Sequence, residues 1–312
     1  MPSATLEPSL ALRANPFALD DDASYRRWRA WKLAHHPASV EELTVDVADP
    51  RALTEAERAA LLDRIARANM ALYRSPVVVE DKGLPRSLGA QLGLHQLDAN
   101  WLADEDGISQ IRVSQATDGR GGFIPYTDRA IRWHTDGYYH PGERRIRGMI
   151  LHCVRPALSG GVNALLDHEI AYLALRDISP AHVRALMESD AMTIPGRDDD
   201  DSVARPAQSG PVFSVNDKDG SLHMRYTART RSIEWKNDAA THAAVAALES
   251  VLASDSPWIM RTRLAPGMGV VGHNILHERS GFEDDAAQPR LLYRARFLDR
   301  VTLPVEAAWR NG

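Results

Sequence analysis

After an irregular leader over residues 1 to about 23, the clearest helical periodicity lies at residues 54–73. Thr54 and Glu57 have the spacing of a capping box at a helix start. The apolar positions that follow recur at helical intervals: Leu61, Leu62, Ile65 and Met70. This pattern predicts a helix over residues 54–73. The β-branched run at 75–80 predicts a strand directly after it, and residues 84–97 predict a second helix.

From residue 108 the pattern changes to short apolar segments bounded by turn residues. Strands are predicted at 108–114, 147–154, 162–166, 211–215, 222–227, 259–264, 270–271 and 291–298. The sequence NDKDG at 216–220 predicts a hairpin turn. One helix is predicted to start at Ser179-Pro180, and another to run from Asp238 to about Leu252. Many short strands after an α-rich start predict a mostly β fold, a sandwich or barrel with helical additions.

Length and composition suit one large core. The chain has 312 residues, of which 44% are hydrophobic. We expect a single domain over residues 1–312, with an α-rich part at 1–100 and a β core at about 101–300. The stretch at about 188–235 lies between core strands and is the predicted lid. The acidic run RDDDD at 197–201 is interpreted as a solvated loop.

Charge and cysteine content argue against several function classes. The formal net charge is -5 with neutral histidines, whereas nucleic-acid-binding proteins usually carry a basic excess. The single cysteine, Cys153, cannot form an internal disulfide or a Cys-based metal cluster. No run approaches the roughly 18 apolar residues of a membrane span, and the N-terminal sequence lacks signal-peptide features. We therefore expect a cytoplasmic protein with no nucleic-acid or membrane partner, and a homo-oligomer stays open.

The segment IRWHTDGYYHP holds two candidate metal ligands, His134 and Asp136. Residues two apart in an extended segment point to the same side, so both side chains can reach one metal ion. Two histidines and one carboxylate on one face of an octahedron suit non-haem iron(II), because three positions stay open. The His-x-Asp pattern alone is weak, since a histidine beside an aspartate is more often a plain polar pair.

Two residues near the C-terminus complete this pattern. His277 ends a predicted strand in the segment LAPGMGVVGHNILHERSGF, and Arg290 follows thirteen residues later. An iron oxygenase that uses 2-oxoglutarate needs a cation for the distal carboxylate of that cosubstrate. Arginine suits this task because its planar fork binds a carboxylate through two hydrogen bonds.

The chain resembles the taurine dioxygenase/clavaminate synthase-like family of iron(II)- and 2-oxoglutarate-dependent oxygenases. The matching motifs are W-H-T-D at 133–136, S-G-G at 159–161, L-x-P-G at 264–267, L-H-x-R at 276–279 and Q-P-R-x-x-x-R at 288–294. They follow the order and typical spacing of the family and span residues of about 130–298. The resemblance implies a double-stranded β-helix, or jelly-roll, with helical additions.

The resemblance also implies roles for individual residues. Three would bind iron: His134, Asp136 and His277. Arg290 would bind the distal carboxylate of 2-oxoglutarate, assisted by Asn163, which stands where many members have a threonine. Arg294 matches a second arginine that lies near cosubstrate and substrate. Two positions depart from the family pattern, Met268 for a frequent aspartate and Gly272 for a frequent asparagine, and both concern the support of His277.

The implied activity is oxidation of a small molecule by O2, coupled to decarboxylation of 2-oxoglutarate to succinate. The carboxylate at position 136 favours hydroxylation over halogenation, while desaturation or cleavage stays open. Four arginines fall near segments that can face the pocket: Arg225, Arg229, Arg231 and Arg294. They suggest a small anionic metabolite or an amino acid as substrate, with carboxylates, sulfonates and sulfate esters among the candidates. Surface ion pairs explain these arginines equally well. A non-catalytic metal-binding jelly-roll and a zinc hydrolase with Glu278 as base are the alternatives.

Overall fold

The computed structural model describes residues 15–98, 106–114, 123–196, 205–229 and 233–304. The α-helices in these ranges are α1 (Asp22–His35), α2 (Val40–Leu43), α3 (Glu55–Ala68), α4 (Leu84–Gln91), α5 (His168–Ile178), α6 (Pro180–Leu186) and α7 (Ala239–Ala253). The strands in the first half are β1 (Thr44–Asp46), β2 (Met70–Arg74), β3 (Ile108–Ile111), β4 (Ile131–His134), β5 (Gly148–Arg155), β6 (Ser159–Gly160) and β7 (Asn163–Leu166). Those in the second half are β8 (Met192–Ile194), β9 (Gln208–Gly210), β10 (Phe213–Val215), β11 (Leu222–Met224), β12 (Glu234–Trp235), β13 (Met260–Thr262), β14 (Met268–His273), β15 (Leu276–Arg279), β16 (Phe282–Glu283) and β17 (Leu291–Phe297).

Two sheets enclose the central core. The larger has the order β1-β2-β14-β5-β17-β3, and the smaller has the order β13-β7-β15-β4. One cluster of buried side chains joins them, with Met149 and Val270 from the larger sheet and Leu165 and Met260 from the smaller. Neighbouring strands in both sheets are antiparallel apart from the β1–β2 pair. This arrangement is the predicted jelly-roll core.

Helices cover the outer faces of both sheets. Leu61 and Ile65 of α3 and Leu88 of α4 pack in one cluster with Val271 and Phe297 of the larger sheet. The outer face of the smaller sheet packs with α5, α6 and α7 in a second cluster. No helix within the described ranges is both long enough and apolar enough to cross a membrane.

The predicted lid, residues 188–235, carries small sheets of its own. Strands β12, β8 and β9 form a three-stranded sheet, and β10 pairs with β11 as the predicted hairpin. The acidic run at 197–201 and Arg231 lie outside the described residues.

The N-terminal predictions need two corrections. Helix α3 has the predicted capping box but ends at Ala68, where Asn69 adopts a left-handed conformation with φ 59°. The following apolar residues form β2 instead of a last helical turn, because this strand is buried in the centre of the sheet. The segment 75–80 is not a strand, and its Val78 and Val79 side chains are 53% and 56% exposed.

Later elements match more closely. The strands predicted at 147–154, 162–166 and 291–298 correspond to β5, β7 and β17, and the helices at 179 and 238 correspond to α6 and α7. The second predicted helix ends early, at Gln91, because Gly93 turns the chain with φ 85°. Helix α5 was not predicted, although Asp167 caps it by accepting from the Glu169 amide.

Candidate metal centre

The predicted histidine ligands face each other across two paired strands. His134 on β4 and His277 on β15 are direct cross-strand partners, and their ring centres lie 4.2 Å apart. Asp136 follows two residues after His134. One ligand atom from each of the three residues lies within 4.8 Å of the other two. The structure thus brings together two histidines and one carboxylate, as predicted from residues 143 positions apart in the chain.

Backbone carbonyls orient both imidazole rings. The Nδ1 atom of His134 lies 2.9 Å from the Arg132 carbonyl oxygen, and that of His277 lies 3.0 Å from the Ile275 carbonyl oxygen. An Nδ1–H that donates to a carbonyl leaves Nε2 as the free lone pair, which is the usual arrangement for histidine ligands. Both rings therefore offer Nε2 to the same point.

Asn274 fixes the main chain at Asp136. The Asp136 amide donates to the Asn274 side-chain oxygen at 2.8 Å. The Asn274 amide group donates in return to the carbonyl oxygens of Asp136, at 2.8 Å, and of Ile146, at 2.9 Å. Asn274 is buried, and the sequence reasoning did not single it out. Its signal was a polar side chain in the turn between two apolar strands, directly before the ligand strand.

The carboxylate of Asp136 has one paired and one unpaired oxygen. Arg294 Nη1 donates to Oδ1 at 3.2 Å, and Arg296 Nη1 lies 4.0 Å from the same atom. Oδ2 is buried and has no hydrogen-bond partner among the described residues. A buried carboxylate oxygen without a partner is costly unless a cation or a proton occupies its lone pair.

Electrostatics keep all three groups in the unprotonated form that a metal requires. Burial and then the neighbouring His277 lower the pKa of His134 to about 3. Burial also lowers the pKa of His277. Burial alone would raise the pKa of Asp136, but Arg294 and Arg296 together hold that pKa well below its usual value. The donor set, its geometry and the orphaned oxygen together fit a divalent iron ion.

Arg290 and Asn163 line one small cavity, together with the Gly160-Gly161 turn and Cys153. Arg290 is 4% exposed, and its Nη1 atom has no partner among the described residues. Burial lowers the pKa of Arg290 to about 10. A buried guanidinium beside a buried amide suits a bound carboxylate. The two predicted cosubstrate residues therefore lie close together. Arg294 does not line this cavity, and its guanidinium donates to the Asp136 carboxylate.

A buried charge network behind the metal centre was not predicted. Asp98 accepts hydrogen bonds from Arg296 at 2.6 Å and Arg144 at 3.0 Å, and it lies 3.2 Å from His140 Nε2. Arg296 also donates to the Tyr139 hydroxyl. These residues come from three separate segments, so only the strand register could have revealed the network.

The other candidate arginines differ in role. Arg225 donates to the carbonyl oxygens of Gln208, Gly210 and Met192, and so it ties strands of the lid segment together. This overturns its expected place among substrate-facing residues. Arg229 is exposed. It lies two residues after Thr227, which forms an isolated antiparallel β-bridge with His134.

A family of known enzymes matches most of the chain. The taurine catabolism dioxygenase TauD, TfdA family matches residues 32–296. The chain belongs to this family. It is therefore an iron(II)- and 2-oxoglutarate-dependent dioxygenase that uses O2 and acts on a small molecule. This membership favours the oxygenase over the binding-protein and hydrolase alternatives.

Two curated relatives are about one third identical to this chain over the aligned residues. A uridine-5'-phosphate dioxygenase of Amycolatopsis sp is 34% identical over 201 residues, which cover 61% of this chain and 68% of the relative. A uridine-5'-phosphate dioxygenase of Streptomyces sp is 33% identical over 179 residues, which cover 54% of this chain and 62% of the relative.

Solved structures confirm the fold at lower identity. Asparagine oxygenase in complex with Fe(II), hydroxyasparagine and succinate is 16% identical with a TM-score of 0.53, covering 86% of this chain and 91% of that chain. The non-heme iron oxygenase OrfP with Fe and alpha-ketoglutaric acid is 17% identical with a TM-score of 0.57, covering 79% and 81%. The jelly-roll core with helical additions is thus shared with these oxygenases.

Proposed function

We propose that His134, Asp136 and His277 hold the iron of this dioxygenase. The observation that carries the proposal is the convergence of three ligand atoms within 4.8 Å of one another, where a buried oxygen of Asp136 has no partner among the described residues. Three such ligands would hold the iron from one side and leave coordination positions for cosubstrate and oxygen.

We further propose that Arg290 and Asn163 bind the distal carboxylate of 2-oxoglutarate. Both side chains are buried, and both line the same cavity. The Nη1 atom of Arg290 has no partner among the described residues and supplies a donor that suits a carboxylate. Arg294 is proposed to orient the Asp136 carboxylate and to face the substrate side, since its Nε is also without a partner among the described residues.

The proposed substrate is a small anionic metabolite, which the dioxygenase hydroxylates. Arg294 adjoins the metal centre and supports the negative charge of the substrate. Both curated relatives are named for uridine-5'-phosphate, so this nucleotide is the first substrate to test. We also propose a single domain, a lid at about 188–235, and a cytoplasmic location, where ferrous iron and 2-oxoglutarate are available.

The protein's part in the reaction follows from these positions. Bound iron and 2-oxoglutarate supply the oxidising chemistry, in which O2 is consumed and 2-oxoglutarate becomes succinate and carbon dioxide. His134, Asp136 and His277 would hold the iron in place beside the cosubstrate. Arg290 sets the position of the cosubstrate relative to that face. Apolar side chains of both sheets exclude water around the site.

The test is succinate formation from 2-oxoglutarate after O2 is admitted to anaerobically iron-loaded protein. Wild type is expected to form succinate, slowly alone and faster with uridine-5'-phosphate if that is its substrate. His134→Ala and Arg290→Ala are expected to lose at least about 100-fold in rate, because each removes an essential contact. His242→Ala, at an exposed histidine, is the matched control and retains activity.

The outcome decides between functions. Two results together would contradict the proposed site. The protein would bind iron but form no succinate, and Arg290→Ala would bind 2-oxoglutarate as tightly as wild type. Mass analysis of the product separates the reaction types, since hydroxylation adds one oxygen atom and desaturation removes two hydrogen atoms.

A further inference from the structure

Three arginines and one histidine gather where the β10–β11 hairpin meets one end of the larger sheet. Arg145 and Arg147 precede β5, and Arg300 follows β17, whose end pairs with the start of β5. His223 lies on β11 and is the direct cross-strand partner of Ser214 on β10. The members of this cationic cluster are Arg145, Arg147, His223 and Arg300.

Two guanidinium groups of the cationic cluster contact the hairpin. Arg145 Nη1 donates to the Ser214 hydroxyl at 3.2 Å, on the face of the hairpin that also carries the side chain of His223. Arg300 Nη1 donates to the Leu222 carbonyl oxygen at 3.4 Å. The cationic cluster therefore lies between the hairpin and the end of the larger sheet.

No carboxylate of a described residue pairs with the cationic cluster. All four of its side chains are half-buried, and none forms an ion pair within the described part of the chain. The Arg147 guanidinium and the His223 ring also lack a hydrogen-bond partner there. Two buried carboxylates nearby are already neutralised, since Asp167 and Glu169 both lie 2.6 Å from Lys32 Nζ.

The charges of the cationic cluster act against one another. Burial, and then the charge of Arg145, lower the pKa of His223. Burial, and then the charge of Arg147, lower the pKa of Arg145. Burial also lowers the pKa of Arg300, although nearby carboxylates such as Asp219 act in the opposite direction. This excess of positive charge is local, because the whole chain has a formal net charge of -5. Like charges in a half-buried place repel each other until an anion joins them.

We propose that the cationic cluster is a binding site for a phosphate group. A phosphate monoester carries a charge of about -1.5 to -2 at pH 7 and three acceptor oxygens, which suits several guanidinium groups better than one carboxylate does. Arg147 offers its whole planar fork, and Arg145 and Arg300 have N–H groups beyond those that contact the hairpin. Because the four side chains are only half-buried, a ligand reaches them from solvent.

An asparagine connects the cationic cluster to the metal centre. Ile146 stands between Arg145 and Arg147, and its carbonyl oxygen accepts from the Asn274 amide group. The same amide group donates to the Asp136 carbonyl oxygen. The phosphate group therefore has two possible sources, a phosphorylated substrate that also reaches the metal centre, or free phosphate. The first source rests on the proposed function, whereas phosphate binding itself does not.

The experiment is calorimetric titration of metal-free protein with inorganic phosphate and with uridine-5'-phosphate, in a buffer without phosphate or sulfate. Removal of the metal keeps the result independent of the proposed iron site. Wild type is expected to bind phosphate and to melt at a higher temperature in its presence. Arg147→Gln is expected to weaken phosphate binding by at least about tenfold, because it removes charge-assisted hydrogen bonds. Its melting temperature without phosphate is expected to stay at the wild-type value, since Arg147 has no side-chain partner among the described residues. Arg112→Gln, at an exposed arginine directly after β3, is the matched control and keeps wild-type affinity.

Competition between the two ligands identifies the source of the phosphate group. If uridine-5'-phosphate displaces phosphate and is weakened equally by Arg147→Gln, the site holds the phosphate group of the nucleotide. If phosphate binding depends on Arg147 but uridine-5'-phosphate does not compete, the site holds free phosphate and the inference still stands. A wild type that binds no phosphate, or an Arg147→Gln variant with wild-type phosphate affinity, overturns the inference. If Arg147→Gln does not fold, Arg145→Gln decides by the same criterion.

Discussion

The main chain at Asp136 is held by one asparagine side chain, and this asparagine does not stand where the family motif has one. The family often has an asparagine five residues before the last iron ligand, and this chain has Gly272 there. A Cβ atom at Gly272 would lie 2.4 Å from the Asn69 carbonyl oxygen, because β14 passes close to β2 at this point. The asparagine that holds the metal centre is Asn274, two residues later.

We predict that Asn274→Ala weakens metal binding by about 10- to 100-fold, because residues that orient ligands typically contribute that much. The variant leaves the Asp136 amide and two buried carbonyl oxygens without their partner. Anaerobic Co(II) titration followed by absorbance measures the effect. Asn237→Ala, at an exposed asparagine, is the control. An Asn274→Ala protein with wild-type affinity would show that the strand pairing alone positions Asp136.

The predicted site residues lie within sequence motifs, whereas those that the sequence reasoning missed are recognised only by their contacts with distant segments. His134 and Asp136 are neighbours in sequence, and motif spacing identified His277 and Arg290. The contacts of Asn274 with Asp136 and Ile146 depend on how distant segments pair, which is not encoded locally. The resemblance supplied the motif, and the structure supplied the contacts.

At the scale of elements, local signals fixed starts better than ends. The capping box at Thr54 located the start of α3, with the Glu57 amide donating to the Thr54 hydroxyl at 3.2 Å. Nothing local marked its end, because the helical stripe continues into Met70, which belongs to β2. Burial at the centre of a sheet and burial on a helix face give similar apolar runs. Tertiary pairing with β14 therefore decides the boundary.

We predict that Thr54→Ala lowers the free energy of unfolding by about 1 kcal/mol, the usual contribution of such a cap. The Glu57 amide then loses its acceptor, and Glu57 loses the Thr54 hydroxyl as a donor. Urea denaturation of metal-free protein at neutral pH measures the change. Thr54→Ser keeps the hydroxyl and is expected to stay within about 0.5 kcal/mol of wild type. Equal losses in both variants would assign the effect to the lost methyl group.

At the scale of the whole molecule, buried histidines couple stability to pH. Burial lowers the pKa of His134 to about 3 and that of His152 to about 4. Burial also lowers the pKa of five others: His36, His168, His223, His273 and His277. Each is neutral in the folded protein at a pH where an unfolded histidine, with a pKa of about 6.5, is protonated. Between these two values the unfolded state binds more protons, so stability falls as the pH decreases.

We therefore predict that the free energy of unfolding of the metal-free protein decreases from about pH 6.5 towards pH 4, by about 1.4 kcal/mol per pH unit for each histidine involved. His152 tests the assignment, because it lies outside the metal centre and its only hydrogen bond within the described residues joins Nδ1 to the Tyr73 hydroxyl. His152→Gln is expected to reduce the slope of the free energy of unfolding against pH by about 1.4 kcal/mol per pH unit, which corresponds to one proton. Urea denaturation at several pH values in this range measures the slope. His242→Gln removes an exposed histidine and is expected to keep the wild-type slope. A slope unchanged in His152→Gln would mean that this imidazole is already protonated when buried, and the acid sensitivity would then belong to the other histidines.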